Sequence, residues 1–388
     1  MKPLNKLGWG CTLASLLLPT AFAGCGSPEK VIAIVGDHTI KEKELFEKAV
    51  DIRAQEIPVE LDAGGTALTG LIREQLLEQC AKSKGFSVAD ERVKGFHAYQ
   101  DQFDIKSFLT IQRTGQTTEE VDRSIHITLL EFAIGTEDAK ATEEKVKTEY
   151  DSYKSQPTGV PTPSDPTGLV ANPVRRPEIL SIKIMPVPNK EIGVRVLEML
   201  KKDGDFKKMA RAMNPDPAAV ANAGNETPVS NVALKQQAPA LGMAFEKLAE
   251  GQFISEPIAQ AIRSRTNPNQ MDTAYFVGQL IKRYPAKDFT LPEAHIAMEF
   301  RVLTKEHPEW QTHKDQELSK FTQALYKDNK IQIVAPKYQS AVGNFVKSMV
   351  ASKAATAPGG TMGGAGSAPP PSSAPAPSSA PPPVKGKP

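Results

Sequence analysis

Apolar residues follow two different rhythms along this chain, and the rhythm changes near residue 178. Val31 to Val35 is a short strand-like run closed by Gly36-Asp37. Thr39 with Glu42 then has the form of a capping box, and Leu45, Phe46, Ala49 and Val50 supply the apolar face of the helix it would start. A second helix is predicted from Ala67 to Lys84, with Leu68, Leu71, Ile72, Leu76 and Cys80 on one side and Gly85 as its stop. Val88, Val93 and Phe96 continue into a third. Thr117 and Glu120 form another capping box before Val121, Ile125, Leu129 and Phe132, and Thr142 opens a helix carrying Val146 and Tyr150. The first 155 residues therefore read as amphipathic helix throughout.

Residues 156–177 hold six prolines (157, 161, 163, 166, 173 and 177) and few apolar side chains, the pattern of a linker or exposed loop. After it the period shortens to two. Ile179 to Met185 reads as a strand with Leu180, Ile182 and Ile184 on one face. A helix from Glu191 to Met213 is interrupted at Asp203-Gly204-Asp205, and Pro, Ala, Asn and Gly dominate from there to about Pro239. A short helix with Phe245 and Leu248 ends at Gly251, and Tyr275 to Lys282 supplies a second strand. These features define an α+β unit over 178–288. Helical spacing returns from Leu291 to Lys330 and closes on Lys330 to Val334, so 289–350 forms a C-terminal helical segment. The stretch 351–388 is almost wholly Ala, Pro, Gly and Ser beyond Ala354, a composition with too little apolar surface to offset ordering entropy.

Composition narrows the function classes. A chain of 388 residues with 40% hydrophobic content can bury more than one core, and a net charge of +2 gives no electrostatic case for nucleic acid. Of three cysteines, Cys11 and Cys25 lie at the N-terminus and Cys80 falls on a helix stripe, which excludes a disulfide framework and a cysteine-built zinc site. No dinucleotide, phosphate-loop or nucleophile-elbow motif is present, and neither a metal nor a cofactor is expected. Lys2 and Lys6 precede a mostly apolar Leu7 to Ala21, too short and interrupted for a comfortable membrane span of ~20 residues. Residues 1–24 thus read as an export signal. Phe22-Ala23-Gly24-Cys25 resembles the bacterial lipobox, which makes Cys25 the expected lipidation site, and Gly26 after it resembles lipoproteins directed to an outer membrane.

The order of the remaining motifs carries a family resemblance. Val31 to Val50 resembles the start of SurA-type periplasmic chaperones, and Leu71 to Leu77, Ala81, Gly85 to Val88 and Glu91 are similar to that family's next helix and turn. Asp205-Phe206 with Met209-Ala210 resembles the parvulin helix motif. Leu248, Gly251, Ser255, Pro257 and Ile258 are similar to a further parvulin stretch, with one extra residue before Ser255, and Lys330 to Ile333 to the returning C-terminal segment. The resemblance spans most of Val31 to Val334. It implies a helical chaperone domain, discontinuous because 25–155 is completed by 289–350, with a parvulin-like α/β domain inserted over 178–288. Lipid-anchored members of this kind are the PrsA-like proteins. The implied partners are unfolded or extended exported polypeptides and, through the anchor, a membrane; the implied location is the cell envelope, at the periplasmic face of an outer membrane.

Parvulins turn X–Pro bonds, crossing a barrier of ~18–20 kcal/mol by stabilising a twisted amide. The family does this with two facing histidines, a Cys or Asp, and hydroxyls. The six histidines here are His38, His97, His126, His295, His307 and His313, and none lies between Arg176 and Asp288. The first family histidine falls on Ile182, the second near Phe276, and the family's Gly-Asp is at best Gly224-Asn225. Leu241 remains available for a proline pocket, so Ile182, Leu241 and Phe276 are the candidate peptide-binding cleft, and no catalytic residue is assigned. His295, His307 and His313 lack metal-ligand spacing and read as surface residues; His97, beside Phe96, reads as structural. The expectation is an envelope chaperone with weak or absent prolyl isomerase activity. The alternatives are an active parvulin-type isomerase using other polar groups, and a structural envelope lipoprotein.

Overall fold

A computed structural model describes residues 30–50, 62–161, 165, 167–169, 172–213, 224–263 and 271–351. The export signal, Cys25 and the Ala/Pro/Gly/Ser stretch after Ala351 lie outside the described residues. The chain divides into two compact units: one drawn from described residues up to Cys80 and from Leu318 onward, the other running Ala81–Glu317.

In the first unit, β1 (Val31–Val35) turns through Gly36-Asp37 into β2 (His38–Lys41), and β9 (Ile331–Ile333) pairs antiparallel with the free side of β1. The turn requires its glycine: Gly36 has φ +59°, and a Cβ there would lie 1.8 Å from Oε1 of Gln79. Gln79 in turn donates from Nε2 to the Val35 carbonyl at 2.7 Å. Thr39 sits inside β2 opposite Ile34, so the expected capping box at Thr39 and Glu42 is not formed. Strand pairing has taken the backbone groups that a cap would use, and α1 (Glu42–Val50) begins with the Glu42 amide donating to Lys30 O at 2.9 Å. The N-terminal 155 residues are thus not wholly helical. The helix α2 (Ala63–Ser83) follows, with Leu68, Leu71, Ile72, Leu76 and Cys80 all buried as its apolar stripe requires.

The second unit opens with α3 (Asp90–Phe103), α4 (Ile105–Thr114), α5 (Thr118–Gly135) and α6 (Glu143–Lys154). Thr117 caps α5 in the expected reciprocal box with Glu120, and Thr142 caps α6. Where it is described, the proline-rich stretch is exposed at Gln156, Pro157 and Val160 but packed further along. Leu169, Asn172 and Val174 are buried, and Asn172 Nδ2 donates to the carbonyls of Tyr153 and Gln156 at 2.8 and 3.1 Å. Prolines remove donors but leave carbonyls and the few apolar side chains free to anchor the strand of chain.

The strands β3 (Arg175–Arg176) and β8 (Lys287–Asp288) pair with each other at the two ends of the α+β region. Between them lie β4 (Ile179–Val187), α7 (Lys190–Asp203), α8 (Phe206–Met213), β5 (Thr227–Ser230), α9 (Asn231–Gln237), α10 (Pro239–Glu246), β6 (Ile258–Arg263) and β7 (Met271–Tyr284). The four longer strands form an antiparallel sheet in the order β5-β4-β7-β6. Two prolines are tolerated for positional reasons. Pro228 lies in the edge strand β5, and Pro186 lies where β4 has run past its β5 partner, since that pairing stops at Ile182. Gly204, at φ +68°, ends α7 where the sequence places the interruption.

The unit closes with α11 (Leu291–Glu306) and the first part of α12 (Trp310–Lys327); in the first unit α13 (Ala341–Ala351) ends the described chain. Glu293, in the first turn of α11, accepts from the Thr290 amide at 2.7 Å and from Lys287 Nζ at 2.9 Å.

Removing residue 331 onward takes away β9 and leaves one side of the buried β1 strand unpaired. Hydrogen exchange of the Ile34 amide, which faces Gln332 of β9, is expected to quicken by at least about tenfold; unchanged protection would show that β9 does not hold β1. The Glu293 carboxyl titrates at about 2, held down first by the Thr290 amide and then by Lys287. Because the folded value lies below the ordinary 4.5, the contribution of this cap is present above about 4.5 and lost as pH falls toward 2. Acid titration of Glu293→Gln is expected to lack that part of the stability loss.

Candidate functional site

The apolar core of the α+β region is built on both faces of its sheet: Ile182 and Leu280, paired across β4 and β7, point one way with Phe245 of α10, and Met185 and Val277 point the other. It contains Leu180, Ile182, Met185 and Val187 from β4, Val277 and Leu280 from β7, Val196, Leu197 and Leu200 from α7, and Leu241 and Phe245 from α10. Ile182 is 2% exposed and Leu241 4%, so both are walls of this core and neither offers a surface to a peptide. Phe276 is half-buried at its margin. The strand register also keeps the two expected imidazole positions apart. Ile182 faces Leu280 on β7, while Phe276 faces Pro186, four residues further along β4 and about 13 Å away at ~3.3 Å per residue. The three cleft candidates therefore share one cluster without forming one open cleft.

Close packing here reaches the backbone. Gly278, on β7, has Phe245 Cζ 2.8 Å and the Lys183 carbonyl 2.9 Å from where a Cβ would stand. Any side chain at 278 would push α10 off the sheet.

The opposite face of β4 carries the polar chemistry that sequence reading missed. Ser181, fully buried, donates from Oγ to Glu226 Oε1 at 2.5 Å, and Arg113 on α4 donates from Nη2 to the Glu226 carbonyl at 2.6 Å. Around this group α4 lays Ile105 and Leu109 against Ile179 and Leu169, with Tyr284 at the edge. The hydroxyl beside the expected first imidazole position is thus satisfied by a carboxylate and covered by a helix.

A second feature lies at the α7–α8 turn, where Lys183, Asp203, Asp205, Phe206, Lys207 and Gly224 line an open depression of about 360 Å³. Its carboxylates are already engaged: Asp203 pairs with Lys208 at 2.9 Å and Asp205 caps α8 by accepting from the Lys208 amide at 2.9 Å. Lys183 directly follows Ile182, and the alternation of β4 alone could have flagged that it points to the opposite face of the sheet from Ile182.

Three of the histidines that lie outside this region have structural partners. His97 Nδ1 lies 2.6 Å from Asp122 Oδ1, His295 Nε2 lies 3.0 Å from Glu143 Oε1, and His313 Nδ1 lies 3.1 Å from the Gly135 carbonyl. Among the described residues no group of three or more His, Cys, Asp or Glu is arranged to hold a metal ion. Also among the described residues, no helix is long and apolar enough to cross a membrane. Cys25, the expected lipidation site, lies outside the described residues.

Comparison with known proteins agrees with the resemblance drawn from the sequence. The chain is 28% identical over 169 residues to the foldase protein PrsA of Geobacillus kaustophilus, a match that covers 42% of this chain and 47% of that protein. The chain thus spans about half the length of the curated relative it matches. Among solved structures, the PrsA peptidylprolyl isomerase of Bacillus cereus aligns at 15% identity over 83% of this chain and 100% of its own, with a TM-score of 0.25. A SurA-like chaperone from Campylobacter jejuni aligns at 15% identity over 74% and 96%, with a TM-score of 0.29. No family model matches the chain. The chain is similar to SurA- and PrsA-type proteins.

Burial of Ile182 makes a measurable difference. Ile182→Ala is expected to destabilise the α+β region by about 2–5 kcal/mol, the range for emptying a packed core position. Denaturant unfolding checks it; a loss below about 1 kcal/mol would mean that Ile182 stands in an open cleft and not in the core.

Proposed function

We propose that this chain is an extracytoplasmic chaperone of the foldase type that binds unfolded or extended exported polypeptides. The observation that carries the reading is its 28% identity over 169 residues to a foldase. In this reading the protein is exported by residues 1–24 and anchored in the cell envelope through lipid on Cys25, at the periplasmic face of an outer membrane. A helical chaperone domain assembled from 25–155 and 289–350 handles clients, and a parvulin-like domain over 178–288 is carried between its parts. The pairing of β1 with β9 supports a domain drawn from both ends of the chain. The stretch 351–388 extends from it as a tail.

The parvulin-like domain is a binding arm of little or no isomerase power. Turning an X–Pro bond calls for oriented polar groups at the carbonyl and nitrogen of a twisting amide. The stretch from Arg176 to Asp288 has no histidine, Ile182 and Leu241 are buried hydrocarbon, and the hydroxyl of Ser181 is committed to Glu226. Loss of one such donor costs about 10²–10³ in rate in other enzymes.

Two assays test the proposal on the full chain lacking its signal. It is expected to suppress aggregation of a denatured client at stoichiometric amounts, and failure to do so would remove the chaperone reading. Its acceleration of isomerisation in a short X–Pro peptide is expected to fall at least about a hundredfold below that of an active parvulin. Activity within about tenfold would promote the isomerase reading instead.

A further inference from the structure

The chain runs twice between the helices α3, α4, α6 and α11 and the four-stranded sheet, once through residues 172–178 and once through 284–290. Both crossings belong to the same compact unit. We infer that the two crossings form a latch centred on Arg176, which fixes the sheet and its helices rigidly to the helical body, so that this part does not swing on its connections. The inference does not depend on the foldase reading.

Arg176 is 7% exposed, yet among the described residues no carboxylate pairs with it. Its Nη1 donates to the Gln102 carbonyl at the C-terminal end of α3, and its Nη2 to the Pro285 carbonyl on the other crossing at 2.6 Å, while Nε has no hydrogen-bond partner. A guanidinium held by carbonyls alone suits the negative end of a helix, where the last turn leaves acceptors unpaired. One side chain therefore ties the first crossing, the second crossing and α3 together. Gln102 is used twice, because its side-chain oxygen accepts from Lys287 Nζ on the second crossing. Lys287 also reaches Glu293 in α11 at 2.9 Å.

The crossings are gripped from the body on other sides as well. Tyr99 Oη donates to the Pro173 carbonyl at 2.6 Å and Tyr150 Oη to the Phe289 carbonyl at 2.8 Å, both hydroxyls being buried. The Phe289 amide donates to Val174 O at 2.9 Å, and the Phe289 ring meets Tyr99 edge-on at 5.2 Å. Farther along, Arg113 of α4 holds Glu226 beside β5. A hinge needs a short segment with few buried contacts and solvated backbone. These crossings have their carbonyls taken by buried side chains of the body and their own backbones paired to each other.

The test uses the full chain without its first 24 residues and unacylated, by backbone relaxation and hydrogen exchange. Amides in β4 and β7 are expected to report the same overall correlation time as those in α5 and α11. A value shorter by about a third or more in the strands would reveal independent tumbling and overturn the inference. Arg176→Met is expected to separate the two values and to quicken exchange of the Phe289 amide by at least about tenfold. The neighbouring Arg175→Ala, which removes an exposed pair with Asp288 and an exposed hydrogen bond to the Lys154 carbonyl, is expected to leave both unchanged. If Arg176→Met retains one correlation time and full protection, Arg176 is not the latch. Should that variant not fold, Arg176→Lys, which keeps the charge without the fork, is expected to loosen Phe289 in smaller measure. Wild-type protection in Arg176→Lys would overturn the assignment.

Discussion

Arg175 facing Asp288 and Arg176 facing Lys287 make a ribbon of two residue pairs, and what lies between them in sequence is placed by it. A chain that leaves a helical body to build a sheet and then returns must satisfy its backbone polar groups at both crossings or leave them in water. Here the two crossings satisfy each other, and Tyr99, Tyr150 and Arg176 take the carbonyls that remain. These are neutral or charge-assisted hydrogen bonds in a dry setting, each worth more unmade than made: an orphaned buried carbonyl costs about 1–3 kcal/mol. The position of β4 follows from this, and with it which face of the sheet meets α4 and which meets α10.

From that placement the two faces acquire different characters. On one, Ile182, Leu280 and Phe245 close into a core tight enough that Gly278 has no room for a methyl group, and Met185, Val187 and Val277 continue the core on the other. On the other, Ser181 and Glu226 are sealed beneath α4 with Arg113 at the rim. The buried hydroxyl of Ser181 and the side chain of Ile182 are on opposite sides of one strand. Chemistry on a twisting amide needs polar groups and apolar walls on the same side, converging on one point.

Much of this was legible in the sequence where the signal is local. Thr117 with Glu120, Thr142, and the break at Asp203-Gly204-Asp205 act within a few residues, and the structure has each where the pattern indicates. Thr39 with Glu42 offers the same capping pattern and forms none, because Ile34 pairs across the Gly36-Asp37 turn and claims Thr39 for a strand. Strand β5 and helix α9 were hidden by Pro228 and the polar run around it; a proline argues against a strand unless one knows that the strand is at an edge. Helix α4 went unread although Ile105, Phe108 and Leu109 have helical spacing, since Asp104 accepting from the Ser107 amide is a subtler start than a capping box. The candidate site was the least legible part. Alternation along β4 says that Leu180 and Ile182 share a face, but whether that face is a pocket or a packed core depends on Leu241 and Phe245, some sixty residues away.

Cys80 has a practical consequence of a different kind. It is 1% exposed on α2 and, of the three cysteines, the one among the described residues. Its sulfur is reached by solvent only when that helix lifts from its neighbours. A thiol so enclosed is indifferent to an oxidising compartment while the protein is folded, and becomes chemically visible when it opens. The molecule carries its own clock for local unfolding, readable by alkylation of its native sequence.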